Sequence, residues 1–184
     1  MHDLEQLTIL ITGATDGLGQ RVATDLAARG ATLLLHGRDP EKGERVLAKI
    51  REATGNKRLN YFNADLSSLA RVEHLAASVA KSHQRLDVLI NNAGLGASPD
   101  PKRRETSTDG FELRFVVNYL APFLLSHKLL PLLRRTAELA GETRIVNVAS
   151  VAQQAIDFDD VMLEREYDGM RAYSQSKLAL VMFT

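Results

Sequence analysis

Tyr173 and Lys177 stand four residues apart, a spacing that places both side chains on one face of a helix. A tyrosine in water titrates near ~10, too high for a base at neutral pH, and a neighbouring ammonium favours its phenolate. The pair is suited to moving a proton to or from an oxygen. Ser150 adds a hydroxyl just past the apolar run Arg144–Val148, where it can hydrogen-bond and polarise a carbonyl. With four tyrosines and seven lysines in 184 residues, a Tyr-x-x-x-Lys pair arises by chance often enough that it decides nothing alone.

A second chemical signal lies near the N-terminus, in Thr12-Gly13-Ala14-Thr15-Asp16-Gly17-Leu18-Gly19. It follows the apolar run Leu7–Thr12 and opens an amphipathic segment in which Leu18, Val22 and Leu26 recur every four residues. Glycines at such a junction let the backbone turn tightly and let a pyrophosphate approach. The helix N-terminus then offers free N–H groups and the positive end of its dipole. The spacing is Gly-x-x-x-Gly-x-Gly rather than Gly-x-Gly-x-x-Gly.

These residues must be positioned by a frame, and the frame is legible. Leu7–Thr12, Thr32–His36, Leu59–Asn63, Leu86–Ile90 and Arg144–Val148 are mostly apolar on consecutive residues, as in strands buried on both faces. Helical patterns lie between them. Gly30 stops the first, and Asp39-Pro40 supplies cap and first residue of a second that ends near Gly55. Leu69, Val72, Ala76 and Val79 mark a third. Asp109 is expected to cap a fourth through Phe111–Leu133, and a fifth begins near Arg171. Strands alternating with helices predict an α/β fold, a Rossmann-type doubly wound parallel sheet in three αβα layers with strand order 3-2-1-4-5. Ligand would sit at the carboxyl ends of strands 1 and 4. Leu95–Thr108 and Val151–Met170 read as loops, their charge clusters as solvated.

Composition narrows the function. The 184 residues form one domain spanning 1–184. Twenty-three basic residues balance 23 acidic ones, which argues against a nucleic-acid partner. Cysteine is absent, so thiol catalysis and cysteine-ligated metals are excluded. The five histidines, His2, His36, His74, His83 and His127, show no metal-ligand spacing, and no metal is expected. The longest run free of Asp, Glu, Lys and Arg is Phe115–His127, shorter than the ~18 residues of a membrane span. The N-terminus lacks a signal-peptide pattern, and the expected location is cytoplasmic.

Taken together, Thr12-Gly-x-x-x-Gly-x-Gly19, Asn91-Asn92-Ala93-Gly94 and Tyr173-x-x-x-Lys177 resemble the short-chain dehydrogenase/reductase family. The resemblance covers nearly the whole chain. His36-Gly37-Arg38-Asp39, Asp109-Gly-Phe-Glu-Leu113 and Tyr173-Ser-Gln-Ser-Lys-Leu-Ala179 are similar to its retinol-dehydrogenase-like branch. It implies hydride transfer between a nicotinamide dinucleotide and a small alcohol or carbonyl substrate, with Asn118, Ser150, Tyr173 and Lys177 as the catalytic set. It also implies a cofactor site formed by Gly13, Thr15, Asp16, Gly17, Leu18, Gly19, Arg38, Asp65, Leu66, Asn91, Ala93, Gly94, Tyr173 and Lys177. Asn118 would help to hold a water that relays protons from the lysine. Pro122, four residues on, has no N–H for the Asn118 carbonyl and predicts a kinked fourth helix, and Pro131 is a second point of kinking or ending. Helices four and five would pair with their copies in a homodimer or homotetramer. Family members continue with two further strands and a substrate-covering region, so the 184 residues read as a Rossmann domain short of its C-terminal strands.

The expected cofactor is NADP(H) in preference to NAD(H). Gly37 aligns with the acid that selects NAD, and Arg38 follows it, where an arginine accommodates a 2′-phosphate. Asp39 and Asp16 argue the other way, unless Asp39 caps the second helix. A non-catalytic nucleotide-binding module is the alternative, and an incomplete catalytic set would favour it.

Overall fold

The computed structural model describes residues 3–98 and 100–184. Expectations for Met1, His2 and Pro99 lie outside the described residues. After a single turn at Leu4–Gln6, the chain alternates β1 (Thr8–Ile11), α1 (Gly17–Ala28), β2 (Thr32–Gly37), α2 (Pro40–Thr54), β3 (Leu59–Asn63), α3 (Leu69–Ser82) and β4 (Val88–Asn91). There follow α4 (Leu113–Ala140), β5 (Arg144–Asn147) and α5 (Gly169–Phe183).

The five strands form one parallel sheet in the expected order β3-β2-β1-β4-β5. Alternation of side chains along each strand divides the apolar runs between two cores. Ile9, Ile11, Leu33 and Leu35 pack with Ala23 and Ala27 of α1 and Val46, Leu47 and Ile50 of α2. Leu10, Leu34 and Leu89 face the other way, onto Val72 and Val79 of α3 and Leu125, Leu129 and Leu133 of α4. α5 packs against α4. By length and composition α4 could cross a membrane. Here it lays its leucines on the sheet.

Buried Asp87 aligns the lower ends of three strands. Its carboxylate accepts the Thr8 N–H at 2.8 Å, its N–H donates to the Thr8 carbonyl, and its own carbonyl accepts from Arg144. It thus ties the start of β4 to both of its neighbours, β1 and β5.

Helix starts follow the caps, with one correction. Asp39 caps α2 through the Lys42 N–H with Pro40 behind it, and Gly55 ends that helix at φ 70°. The expected Asp109 cap of the fourth helix is corrected: Glu112 caps it, accepting the Phe115 N–H at 2.7 Å. Asp109 reaches back instead to the Leu69 N–H at the start of α3. α4 continues through Pro131 to Ala140, so Pro131 does not end it. The fifth helix begins at Gly169, two residues before Arg171, because Asp168 caps it. The predicted disturbance before Pro122 is a single π turn, Val116–Leu120, in which the Ala121 N–H donates to the Val116 carbonyl.

Gly43 lies against the ring of Tyr61, whose hydroxyl donates to the Asp39 carbonyl at 2.8 Å. A methyl group there would overlap the ring. Gly43→Ala should therefore destabilise the chain by about 1–3 kcal/mol despite the better helix propensity of alanine, read as a lower urea midpoint.

Candidate functional site

β1 ends at the glycine turn, and the turn is seated on the end of β4. Thr12 Oγ1 accepts the N–H groups of Asn92 and Ala93, both at 3.0 Å. The Asn92 side-chain amide donates to the carbonyls of Thr12 and Gly13 at 2.9 and 3.1 Å. So tight is the fit that a Cβ on Gly13 would lie 2.8 Å from Ala93 Cα, and one on Gly19 would meet the Gly13 carbonyl and the Asn92 amide. Gly13 has φ 64° and Gly17 φ 47°, the left-handed region that glycine occupies without strain. Asp16 caps α1 through the Gly17 N–H. The resulting cradle opens a cleft of about 860 Å³ across the upper end of the sheet.

At the far side of the cleft stand Arg38, Asp39 and Lys42. Asp39 spends its carboxylate on the start of α2, at 2.9 Å from the Lys42 N–H. Arg38 is exposed at the rim. The Lys42 ammonium lies 2.6 Å from Asp16 Oδ2, and this contact, with the Gly17 N–H, holds the Asp16 carboxyl below the usual carboxylate range. A Cβ on Gly37 would lie 2.6 Å from Thr15 Cγ2 and 3.0 Å from the Tyr61 hydroxyl, so the position has little room for an acidic side chain. Asp65 folds its carboxylate onto the Ser67 N–H at 2.9 Å, and Leu66 is buried beside it.

His36 joins the two halves of the cleft floor. Its Nδ1 accepts the Gly13 N–H at 3.3 Å, and its Nε2–H donates to the Ala64 carbonyl at 3.0 Å. It is 2% exposed, and burial lowers its pKa to about 4 against the partial opposition of Ala64 and Asp65. The ring is neutral at pH 7 and bears its proton on Nε2.

Gly94, in the cleft lining, adjoins Asn118 and Lys177. Asn118, fully buried in the π turn, accepts the Leu95 N–H at 2.7 Å. Its amide donates to the Leu95 carbonyl at 3.0 Å and to Ser176 Oγ at 2.9 Å. A Cβ on Gly94 would stand 3.2 Å from Asn118 Oδ1 and 3.5 Å from Lys177 Nζ. Lys177 Nζ donates to the Val148 carbonyl at 2.8 Å, and burial lowers its pKa below the usual lysine range. Tyr173 lies one turn before it on α5, half-buried, its hydroxyl without a hydrogen-bond partner among the described residues. Ser150 Oγ accepts the Ala152 N–H at 3.1 Å, which leaves the hydroxyl proton free to donate elsewhere.

The structure thus gathers Gly13, Thr15, Asp16, Gly17, Leu18, Gly19, Arg38, Asp65, Leu66, Ala93 and Gly94 along one cleft. Asn118 and Lys177 meet at its inner end. Ser150 and Tyr173 lie on neighbouring elements with no direct bond to each other or to Lys177. Asn91 is not brought to the cleft. As the last residue of β4 it points to the opposite face, where its amide donates to Ser126 Oγ at 3.1 Å and Asn147 Oδ1 at 2.8 Å. Asn92 takes the place at the cleft. Sequence reasoning missed His36, Lys42 and Asn92 as site residues. The position of Lys42 four residues after Arg38, on the first turn of α2, was the available signal for it. Among the described residues no three His, Asp or Glu side chains gather as metal ligands.

The family model for short chain dehydrogenases matches residues 7–184, and the chain belongs to that family. It is 42% identical to human retinol dehydrogenase 13 over 180 residues, which are 96% of this chain and 52% of that protein. It is 36% identical to human polyprenol dehydrogenase over 177 residues, 95% of this chain and 52% of that one. The chain spans about half the length of these relatives. Among solved structures, an uncharacterised protein from Mycobacterium paratuberculosis superposes with a TM-score of 0.80 at 36% identity, covering 97% of this chain and 60% of that one. The NADP complex of Pseudomonas aeruginosa RhlG gives 0.74 at 31%, covering 99% and 67%. The NAD complex of the NADH-dependent reductase A1-R′ gives 0.76 at 27%, covering 97% and 70%.

The neutral His36 makes stability depend on pH. Its folded pKa, about 4, lies below the ordinary 6.5, so between these values the unfolded chain binds a proton that the fold refuses. This contribution is complete above pH 6.5 and is lost as pH falls toward 4, by at most about 3 kcal/mol. Urea midpoints measured across that range should fall with acidification, and more steeply for the wild-type chain than for His36→Gln. Equal slopes would remove His36 as the cause.

Proposed function

We propose that the chain forms the cofactor-binding and proton-transfer part of an oxidoreductase acting between NADP(H) and an alcohol or carbonyl substrate. The observation that carries this reading is the meeting of Gly94, Asn118 and Lys177 at the inner end of a glycine-lined cleft. The glycine turn, in which Gly13 and Gly19 pack against neighbouring atoms and Gly17 leaves open space, suits close approach of a dinucleotide pyrophosphate. Once bound, a nicotinamide supplies or accepts the hydride. The protein does the rest. The Tyr173 hydroxyl gives a proton to the substrate oxygen in reduction and takes it back in oxidation. Lys177, fixed by the Val148 carbonyl, places a cation where it favours the phenolate form. Ser150 donates a hydrogen bond to the same oxygen, which polarises the carbonyl. The names of the human relatives support an alcohol substrate class.

Preference for NADP(H) rests on two cations. Arg38 offers a planar fork for a 2′-phosphate. Lys42 reaches the same rim from α2, so the basic group that the glycine turn lacks at Asp16 comes from the next helix. The NAD-selecting acid is absent, and Asp39 is engaged as a cap.

Tyr173→Phe in the full-length protein should abolish reduction of an aldehyde panel while NADPH binding, followed by cofactor fluorescence, stays within a few-fold. Wild-type turnover by the phenylalanine variant, or no turnover by the wild type, would refute the reading. Arg38→Ala should weaken NADPH by roughly 10- to 100-fold, since a charge-assisted contact contributes about 1.5–3 kcal/mol, and should leave NADH nearly unaffected. Lys42→Met should act in the same direction but less, because Lys42 divides its charge between Asp16 and the phosphate. Equal losses for both cofactors would show that neither residue reads the phosphate.

A further inference from the structure

Outside the site just described, the chain buries a polar cluster around Arg114, at the start of α4. The guanidinium is 3% exposed and meets four partners. Its Nε donates to the Gly96 carbonyl at 2.9 Å, one η-nitrogen to Glu105 at 3.1 Å, and the other to the Tyr167 hydroxyl at 3.0 Å and Glu112 at 3.4 Å. The Tyr167 hydroxyl in turn donates to Glu112 Oε1 at 3.2 Å. Burial and the Glu112 charge push Tyr167 up to about 12, so it remains a donor at any working pH. The second Glu112 oxygen caps α4.

Three segments converge on this one side chain, and each leads directly to the site. Gly96 lies two residues beyond Gly94. Asn118 lies one turn after Arg114 on α4, and Tyr167 lies six residues before Tyr173. The neighbouring loops are tied in the same sense, by the Gly169 N–H on the Pro101 carbonyl at 2.7 Å and Arg104 on the Met162 carbonyl at 3.0 Å. Arg104 is thus not a solvated loop charge. A buried ion pair adds little net stability over well-packed apolar residues, because desolvation offsets its attraction. What a planar fork supplies is direction: four contacts at fixed angles to three pieces of chain.

We propose that Arg114, with Glu112 and Tyr167, is a positioning cluster that sets the wall of the cleft at Leu95–Gly96 and the start of α5 relative to Asn118, and thereby aligns Tyr173 and Lys177 for proton transfer. The inference rests on the oxidoreductase reading above. The cluster touches neither substrate nor cofactor and acts only through the residues it holds. Small misplacements of reacting groups suffice for large losses of rate.

Two variants test this in the full-length protein. Arg114→Lys keeps the charge but loses the fork, and Tyr167→Phe keeps the shape and loses one hydroxyl. The rate is expressed per cofactor-binding site, so that misfolded protein is not counted. Arg114→Lys should lower kcat by roughly 10- to 100-fold with NADPH affinity within about threefold of wild type. Deuterated NADPH should show a larger isotope effect, as the chemical step becomes limiting. Tyr167→Phe should shift both in the same direction by a few-fold, and it decides the matter if Arg114→Lys does not fold. A kcat within twofold of wild type in the folded variants, whatever their melting temperatures, would reduce the cluster to a stabilising role and overturn the proposal. If the wild type itself lacks turnover, the oxidoreductase reading fails. Amide exchange at Leu95 and Gly96 then reads the cluster directly. Faster exchange in Tyr167→Phe supports it, and unchanged exchange overturns it.

Discussion

The cleft exists because two parallel strands part company at their upper ends, and the exchange between Thr12 and Asn92 closes the gap they leave. Where β1 turns to one face and the chain after β4 turns to the other, backbone groups lose their ladder partners at the bottom of a crevice. A buried donor or acceptor left unmade costs about 1–3 kcal/mol. The Thr12 hydroxyl takes two such N–H groups and the Asn92 amide covers two carbonyls. Because these side chains draw the two backbones together, Gly13 and Gly19 have room for no Cβ. The glycine spacing is thus set by strand packing as much as by any ligand.

Two further buried polar groups extend that arrangement in opposite directions. His36 carries it toward β3, linking the glycine turn to the Ala64 carbonyl through one neutral ring. Asn118 carries it toward α5, since its side-chain amide bonds Leu95 on one side and Ser176 on the other. Both groups are uncharged where they are buried, whereas the charged cluster at Arg114 is confined to the junction of three loops. Charge near the opening is exposed and paired, as at Asp16 and Lys42. Lys177 is the exception at the inner end, a buried ammonium held by the Val148 carbonyl.

What was legible in the sequence was local. The glycine turn, the Asp39-Pro40 start of α2, its Gly55 stop and the apolar strands β1 and β2 are specified within a few residues of themselves, and the strand order followed from their alternation with helices, whereas β5, read the same way, leaves Ile145 and Val146 exposed at the edge of the sheet. What was not legible depended on direction or distance. Asn91 and Asn92 are chemically identical neighbours, and only the alternation of side chains at the end of a strand decides which faces the cleft. Asp109 has the right residue type to cap the helix that follows it, yet it accepts the first N–H of a helix forty residues earlier in the chain. Arg114 lies in a sequence that reads simply as the beginning of an apolar helix. Its four partners come from segments spanning positions 96 to 167, and no periodicity joins them.

The π turn at Val116–Leu120 bears on how such a chain can change over evolutionary time. A π turn is an α-helix carrying one residue more than its hydrogen bonds require, and each residue of an α-helix advances the side chains by about 100°. The extra residue lets Glu112 and Arg114 face the loops while Leu125 and Leu129, further along the same rod, face the sheet. Deletion of one residue within the turn would remove the bulge and swing one group out of register with the other. Insertions and deletions, ordinarily tolerated in loops and penalised in helices for their broken hydrogen bonds, would here be penalised for repairing them.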